Sequence, residues 1–294
     1  MASLQQLKTR IKSVKSTNQL TKAMQTVASM RFRKNSKKAV QAYTFASEVT
    51  KNINLLFQNS DADVNNILIK ERKDSSKILF VVISPTRGFC GGLHRMVSLK
   101  SYQYLANLGV DTENENQVEF MVIGKPALKQ ATRLGGRIVA GFENLNKDPD
   151  QYDILAVSEL IYKLYNQDET ISQVMISYLE YPLGTYKVQK LLPLNTDILK
   201  STDSVKDSNI PQNPIEIDTD NEKLLEELAH QYLQSQVFGA IWQTFASEEK
   251  ARMIAMNQAS ENAGELLKKL QLNYFRTRQA KITQDMSEII AGMI

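Results

Sequence analysis

The sequence predicts an α/β protein in which two very long terminal helices flank a compact, turn-rich centre. Residues that break helices are concentrated in the middle of the chain. All seven prolines lie between Pro85 and Pro214, and nine of the twelve glycines lie between Gly88 and Gly184. Since proline costs about 3 kcal/mol inside a helix and glycine about 1 kcal/mol, both ends are able to form unusually long helices.

The first long helix is predicted over residues 1–57. Its apolar residues recur at steps of three and four in three blocks, each a narrow seam as in a coiled coil, and the seam slips between blocks. A continuous helix here is about 80 Å long, which is too long for a small domain to wrap. The blocks are Leu4, Leu7, Ile11 and Val14, then Leu20, Ala23, Val27 and Met30, then Ala39, Ala42, Ala46, Val49, Ile53 and Leu56.

A central domain is predicted over residues 58–214. Short β-branched runs alternate there with helical patterns, which is typical of an α/β layer with a partly parallel sheet. A hairpin is expected around Pro182 and Gly184, and the polar residues 195–214 are predicted to form a connector. The predicted strands are KILFVVI (77–83), EFMVI (119–123), QVMISYLEY (173–181) and YKVQKLLPL (186–194), and the predicted helices are 93–108, 125–134 and 153–167.

The second long helix is predicted over residues 215–294. A seam of alternating three- and four-residue steps runs from Leu225 to Tyr274, with small residues that would let a partner helix approach closely. The frame then shifts by one residue. The shifted seam contains Ile282, Met286, Ile289 and Met293.

Charge is segregated along the chain. Residues 1–57 hold eleven Lys or Arg and one acid, whereas residues 215–249 hold eight acids and one Lys. Such segregation favours partners of opposite sign, or two elements of one chain lying side by side. We therefore expect the basic helix to lie beside the acidic one.

Composition excludes several classes of protein. A single cysteine, Cys90, rules out an internal disulfide framework, and with His94 and His230 it leaves little for a transition-metal site. No catalytic constellation is present. Since no window holds eighteen apolar residues and no secretory leader is recognisable, we expect a protein of the cytosolic side.

Two segments carry alternative interpretations. The loop TRGFCGGL (86–93) follows a buried strand and precedes a helix, a position that suits nucleotide phosphates. It lacks the GxGxxG and P-loop patterns, which favours a structural turn in which Cys90 is a packed side chain and not a reactive thiol. The basic first helix suggests nucleic acid, but it lacks interleaved aromatic residues, so a solvated face or an acidic protein partner is favoured.

Residues 276–290, RTRQAKITQDMSEII, place Arg and amide side chains where the seam shifts. An exposed helix face explains them, and so does insertion into another protein, where Arg and amide groups engage carboxylates or carbonyl oxygens. The stretch IIAGMI that follows is apolar on several faces. A free helix would leave it uncovered, so we expect a hydrophobic collar around it.

Over essentially its full length the chain resembles the gamma subunit of the F-type ATP synthase. The matching segments are LKTRIKSVKSTNQLTKAMQTVAS (7–29), TRGFCGGL (86–93), LLPL (191–194) and the long run from QSQVFGAIW to QDMSEII (234–290). Thr86 and Phe89 depart from the Asp and Leu that are usual in the family. These departures weaken any role assigned to that loop but not the resemblance.

The resemblance implies a long antiparallel coiled coil of the terminal helices joined to a central Rossmann-like α/β domain. It also implies a rotor shaft at the cytoplasmic face of the bacterial cell membrane, with no cofactor, metal or catalytic site. The partners would be the alpha3beta3 hexamer, the epsilon subunit and the membrane c-ring. The implied hexamer contacts are Lys22, Met24, Arg252, Arg278, Gln279 and Thr283, with a bearing tip of Met286, Ile289 and Ile290. A coiled-coil adaptor without rotation and a nucleotide-binding enzyme stay as alternatives.

Overall fold

A computed structural model describes residues 4–59, 72, 76–133, 135–143, 145, 151–194 and 221–292. The chain divides into two compact units. The first comprises Met1–Arg31, Phe89–Gly91 and Glu249–Ile294, and the second comprises Phe32–Gly88 and Gly92–Glu248. Both long helices are present and contribute residues to both units. They are α1 (Leu4–Asn59) and, at the end of the chain, α5 (Asn221–Ala291).

The second unit is built on a five-stranded sheet in the order β3-β2-β1-β4-β5. Strands β3, β2, β1 and β4 run parallel, and β5 pairs antiparallel with β4. Parallel strands are normally covered on both faces, and β1 and β2 accordingly consist largely of buried apolar side chains. The strands are β1 (Lys77–Ile83), β2 (Val118–Ile123), β3 (Ile138–Phe142), β4 (Ile171–Glu180) and β5 (Thr185–Leu192).

The predicted α/β class is confirmed, and the order of the first four strands is that of a doubly wound fold. All four predicted strands are present, and the turn containing Pro182 and Gly184 joins β4 to β5. Strand β3 was not predicted, because Ala140 and Gly141 weaken its strand pattern. A Cβ atom on Gly141 would lie 2.9 Å from a methyl carbon of Leu128, so glycine permits close packing there. The predicted connector at 195–214 lies outside the described residues.

Helices cover both faces of this sheet. Helices α2 (Leu93–Asn107) and α3 (Lys125–Arg133) pack on one face. On the other face, α4 (Gln151–Gln167) and residues 229–245 of α5 share one core, which residues of α1 join. The α1 side chains Ala39, Ala42, Ala46, Val49 and Ile53 are buried, which confirms the third predicted block of its seam as far as it is described.

An ion-pair network lies where β1 begins. The Nζ atom of Lys77 lies 2.7 Å from Oε1 of Glu119 and 3.1 Å from Oδ2 of Asp168. The Nε atom of Arg137 lies 3.4 Å from the same Glu119 oxygen. Because Glu119 is buried, these two cations offset the cost of removing its carboxylate from water.

This network predicts a loss of stability in acid. Burial by itself would raise the pKa of Asp168, but hydrogen bonds from Thr170 and Lys77 outweigh it and hold that pKa below its ordinary value. A carboxyl group with a lowered pKa stabilises the folded chain above its unfolded pKa, and the stabilisation is lost as the pH falls through the folded pKa. We expect the free energy of unfolding to decrease below about pH 4.

Urea titrations at a series of pH values check this expectation. In the Asp168→Asn variant, the free energy of unfolding should fall less steeply as the pH is lowered. The slope should differ from that of the wild type by up to the contribution of one bound proton. Glu169→Gln changes an exposed neighbouring carboxyl group outside the network and serves as the matched control. Identical acid dependence in Asp168→Asn and the wild type would contradict the assignment.

Candidate functional site

The first unit is a pair of helices formed by α1 up to Arg31 and α5 from Glu249. The Ser260 hydroxyl donates to Oδ1 of Asn18 at 2.7 Å, and Nε2 of Gln25 donates to Oδ1 of Asn257 at 2.8 Å. As the position in α1 rises from 18 to 25, the position in α5 falls from 260 to 257. The helices therefore run antiparallel, as the resemblance implied.

The contact seam of α1 in this unit differs from the prediction. Leu20, Val27 and Met30 of the second predicted block are exposed, with Leu20 61% exposed. The seam instead runs through Asn18, Thr21, Gln25 and Ala28, all buried or half-buried. Polar residues can occupy this seam because their side chains form hydrogen bonds with α5 or with the backbone of α1. The seam is continuous and does not slip.

The seam of α5 agrees with the prediction. In this unit Met256, Ser260, Ala263 and Leu270 are buried. Small residues at two of these four positions fit the close approach of α1. The expected contact between the basic and acidic segments is represented here by Arg31, whose Nη1 atom lies 3.9 Å from Oε1 of Glu249.

Arg252 lies inside the helix pair. The residue is buried, and Nη1 lies 2.6 Å from Oε2 of Glu249, which is itself buried. Glu249 thus faces two guanidinium groups, those of Arg252 and Arg31. This placement favours a role within the chain over the surface contact that the motif suggested for Arg252.

The other predicted contact residues are accessible to different degrees. On α1, Lys22 is exposed and Met24 is half-buried. On α5, Arg278, Gln279 and Thr283 are exposed, and the Thr283 hydroxyl donates to the carbonyl oxygen of Gln279 at 3.0 Å. The structure does not bring the α1 residues and the α5 residues together in one site. They lie at separate levels of the helix pair.

The C-terminal end of α5 has no α1 residue beside it. By the antiparallel register, Leu4 lies level with about residue 275 of α5. Residues 278–292 are exposed throughout, including Met286, Ile289 and Ile290 at about 60% each. Such an apolar end is typical of a surface that another protein covers.

The loop after β1 is held by a carboxylate of α5. The backbone N–H groups of Thr86 and Arg87 donate to the two carboxylate oxygens of Glu248, at 2.8 and 3.1 Å. The ring nitrogens of His94 lie 3.1 Å from the carbonyl oxygen of Pro85 and 2.7 Å from that of Arg87. A protein carboxylate thus occupies amide groups that a phosphate would use, which favours the structural-turn interpretation. In the first unit, Cys90 is buried, as expected of a packed side chain.

Three further polar side chains of α5 bind the end of β4. Thr244 Oγ1 accepts the Leu179 N–H at 3.2 Å, and Gln243 Oε1 accepts the Tyr181 N–H at 3.3 Å. The Ser247 hydroxyl lies 3.5 Å from the Leu179 carbonyl oxygen. These residues and Glu248 were not predicted. Their sign in the sequence is that polar residues interrupt an otherwise apolar span of α5.

An open cleft of about 580 Å³ lies in the second unit between α1, α5 and the β4–β5 hairpin. Small residues such as Ala42 and Gly239 line its helical walls, and Tyr178 lies on the hairpin side. The charged pair in the lining, Lys187 and Glu180, is joined at 2.5 Å. Among the lining residues there is no nucleophile beside a general base, and within the described ranges no cluster of His, Cys, Asp or Glu is placed to hold a metal ion.

Comparison with known proteins gives a consistent result over the whole chain. A family model described as ATP synthase matches residues 3–294. The ATP synthase gamma chain of Heliobacterium modesticaldum is 32% identical over 295 residues, covering 99% of this chain and 98% of the relative. The ATP synthase gamma chain of Coxiella burnetii is 30% identical over 301 residues with the same coverage.

Solved structures share the fold at lower identity. A chain in the mitochondrial ATP synthase of Euglena gracilis, solved as OSCP, F1 and c-ring, superposes with a TM-score of 0.62 at 18% identity, covering 99% of this chain and 93% of that one. A chain from the central stalk and c-ring of the Tetrahymena thermophila mitochondrial enzyme gives a TM-score of 0.58 at 18% identity, covering 82% and 99%. At this identity the likeness supports the fold.

Proposed function

The chain belongs to the ATP synthase gamma-chain family, and on that premise we propose how it acts as the central stalk of the F1 sector. The paired helices turn inside a hexamer of alternating alpha and beta subunits. Ion flow through the membrane sector drives the rotation, and the asymmetric shaft takes each beta site through successive affinities for ADP, phosphate and ATP. The chain transmits torque and has no catalytic site of its own.

The observation that carries this proposal is the uncovered C-terminal end of α5. A helix whose last fourteen residues, 278–291, are all exposed, with apolar side chains among them, is suited to insertion into a sleeve formed by other subunits. The buried seam and the hydrogen bonds between α1 and α5 stiffen the part of the helix that precedes this end. A torque-transmitting element needs both properties.

The proposed contact roles follow from the match of these segments to the gamma-chain family. Lys22 and Met24 are proposed to face the lever segments of the beta subunits, and Arg278, Gln279 and Thr283 to bind the beta catch loop through charge-assisted and amide hydrogen bonds. Met286, Ile289 and Ile290 form the bearing tip. For Arg252 we propose an indirect role, in which its ion pair with Glu249 keeps the helix pair in register.

The remaining partners are the epsilon subunit and the membrane c-ring, which would contact the central domain, proposed as residues 58–214 between shaft helices 1–57 and 215–294. The chain is a peripheral part of a membrane-associated complex. No helix in the described ranges is long and apolar enough to cross a bilayer. We place the complex at the cytoplasmic face of a bacterial cell membrane, with no nucleic acid bound.

Reconstitution tests the proposal. Alpha and beta subunits are assembled with and without the full chain, and stable assembly and steady ATP turnover are expected only with it. Equal assembly and turnover in both samples would overturn the rotor proposal. Nucleotide titration of the isolated chain separates the enzyme alternative, because tight stoichiometric binding would place a nucleotide site on this chain.

Rotation itself is tested with a reversible covalent link. A cysteine at position 283, oxidised to a cysteine placed in a beta subunit, should stop turnover, and reduction should restore it. A static coiled-coil adaptor would tolerate the link. Full turnover in the oxidised, fully linked complex would therefore favour the adaptor and exclude rotation. A cysteine at the exposed Lys163, on α4 of the central domain, serves as the unlinked control.

Removing residues 286–294 should weaken assembly more than it slows ATP hydrolysis. The deletion takes away three exposed apolar side chains that a sleeve would bury, each worth about 1.5–3 kcal/mol when fully buried. The temperature at which the complex dissociates and the hydrolysis rate measure the two effects. A variant with Met286, Ile289 and Ile290 all replaced by alanine keeps the helix length, and normal assembly with intact coupling in both variants would contradict the bearing role.

A further inference from the structure

One helical layer of the second unit carries positive charge without any acid. The 15 residues of α2 and the 9 residues of α3 contain no Asp or Glu. The wider segment of 157 residues from 58 to 214 is slightly acidic, with 17 basic and 19 acidic side chains. We call the exposed cations of this layer the basic face. They are Arg95 and Lys100 on α2 and Lys125, Lys129 and Arg133 on α3.

The two helices present these cations on one side of the sheet. Their inner residues, among them Val97, Leu105 and Ala127, are buried in the core on that side, and α2 contacts α3 directly. The cations lie on the opposite, exposed sides of the helices. Within the described part of the chain, none of the five forms an ion pair. The basic face is therefore uncompensated by this chain's own described acids.

Acids do occur close by, but on a different segment. Asp111, Glu113 and Glu115 lie in the turn region that follows the C-terminal end of α2. Glu115 is engaged by Arg137 at 2.6 Å. The side chain of Glu113 lies beside Gly135, just beyond α3. The far ends of both helices, where Arg95 and Lys125 lie, have no acid in the first turn.

Two of the five cations lie where helix stability alone would not favour a positive charge. Arg95 lies in the first turn of α2, and Lys125 is the first residue of α3. The N-terminal end of a helix carries partial positive charge, so acids stabilise it and cations do not. Cations at both N-terminal ends therefore add to the positive potential of this face and attract an anionic surface.

We propose that the basic face binds an acidic surface of a neighbouring protein subunit in the assembled complex. The inference rests on the proposed function, since it requires a multisubunit assembly. Protein is favoured because Leu99, which is 52% exposed, lies on α2 among the cations and supplies the apolar centre that protein interfaces combine with a charged rim. A bilayer surface would call for a larger apolar face, and nucleic acid for exposed aromatic rings, whereas Tyr102 and Tyr104 are half-buried.

Carbodiimide cross-linking of the purified intact complex tests the proposal. The reagent joins a lysine amine to a carboxylate in direct contact, so Lys100, Lys125 or Lys129 should link to an Asp or Glu of another subunit, identified by mass spectrometry. Arginine keeps the charge but forms no amide. The variant with Lys100, Lys125 and Lys129 all replaced by arginine should therefore assemble normally and lose these links. Lys163, an exposed lysine on the opposite side of the sheet, is the matched control and should give no link that depends on the basic face.

A second variant, Lys125→Glu with Lys129→Glu, reverses the charge. It should weaken retention of the linked subunit at low ionic strength, and the difference from the wild type should shrink as salt is added. Lys163→Glu should leave retention unchanged. Since the full chain is followed in the same preparation, failure to copurify with alpha and beta subunits would count against the proposed function, whereas copurification without links from the basic face would overturn this inference alone.

Lipid binding is the competing outcome. The experiment compares the intact wild-type complex with the complex that carries Lys125→Glu and Lys129→Glu. Both are tested for binding to phosphatidylcholine vesicles with and without phosphatidylserine. Binding that depends on phosphatidylserine and on Lys125 and Lys129, together with an absence of protein cross-links, would replace the protein partner with a membrane surface. Equal vesicle binding by both complexes, with cross-links present, supports the protein partner.

Discussion

Replacing Trp242 with alanine lowers the free energy of unfolding by about 3–5 kcal/mol, the usual cost of emptying a large aromatic site in a core. Trp242 is 1% exposed and packs between Phe238 and Phe245, with ring centroids 6.1 and 5.9 Å away. The Nζ atom of Lys38 lies 3.9 Å from the centre of its ring. The alanine variant therefore loses apolar burial and a cation–π contact between α5 and α1 together.

Urea unfolding followed by circular dichroism measures this loss. Trp242→Phe keeps most of the volume and should lose much less stability, and Tyr152→Ala removes an aromatic ring that is 80% exposed and should change little. A loss below about 1 kcal/mol in Trp242→Ala would show that the site collapses freely, contrary to a tightly packed core. Since Trp242 is the only tryptophan of the chain, its fluorescence reports independently on unfolding of the wild type.

Replacing Glu248 with alanine should cost about 3 kcal/mol, because it leaves two backbone N–H groups without their charged acceptor. The carboxylate is buried and joins α5 to the loop after β1 within the second unit. Glu248→Gln can accept only one of the two hydrogen bonds at its remaining carbonyl oxygen, so an intermediate loss is expected. The same loop should then exchange its amide hydrogens faster in both variants.

Glu227→Ala is the matched control, since it removes an exposed carboxylate from the same helix. It should change the free energy of unfolding by less than about 0.5 kcal/mol. Hydrogen exchange at Thr86 and Arg87 separates a local effect from a global one. Unchanged exchange at these two amides in Glu248→Ala would contradict the role assigned to the carboxylate.

The fold was largely predictable because most of its helices and strands are indicated by local sequence patterns. The absence of helix breakers located α1 and α5, and β-branched runs located four of the five strands within two residues of their observed ends. Strand β3 was not predicted because Gly141, which permits close packing against Leu128, and the neighbouring Ala140 carry no strand pattern. A local sequence pattern predicts a secondary-structure element, but it does not show where a neighbouring helix needs a small residue for close packing.

The candidate site was predictable where the hydrophobicity of the residues decides their role. It was less predictable where polar or charged side chains lie in the contact between helices. The apolar end of α5 was expected from IIAGMI, and the structure leaves its described residues, up to 292, uncovered by α1. The predicted seam of α1 was wrong around Leu20 and Val27. The seam positions are instead taken by Asn18, Thr21 and Gln25, whose polar groups find partners on α5 or on the backbone of α1. Glu248 accepts hydrogen bonds from a loop in a distant part of the sequence, which no local pattern reveals. The ion pair of Arg252 with Glu249 has an i, i+3 spacing that the sequence does show, but the burial of both groups is not visible there.

The hydrogen bonds from Ser260 to Asn18 and from Gln25 to Asn257 determine how far α5 reaches beyond α1. Sliding the helices by one heptad would move the free end by about 10 Å and separate these polar groups from their hydrogen-bond partners. These two hydrogen bonds thereby fix the length of the α5 segment that extends beyond α1. Subunits that receive this segment would therefore bind it at one fixed depth.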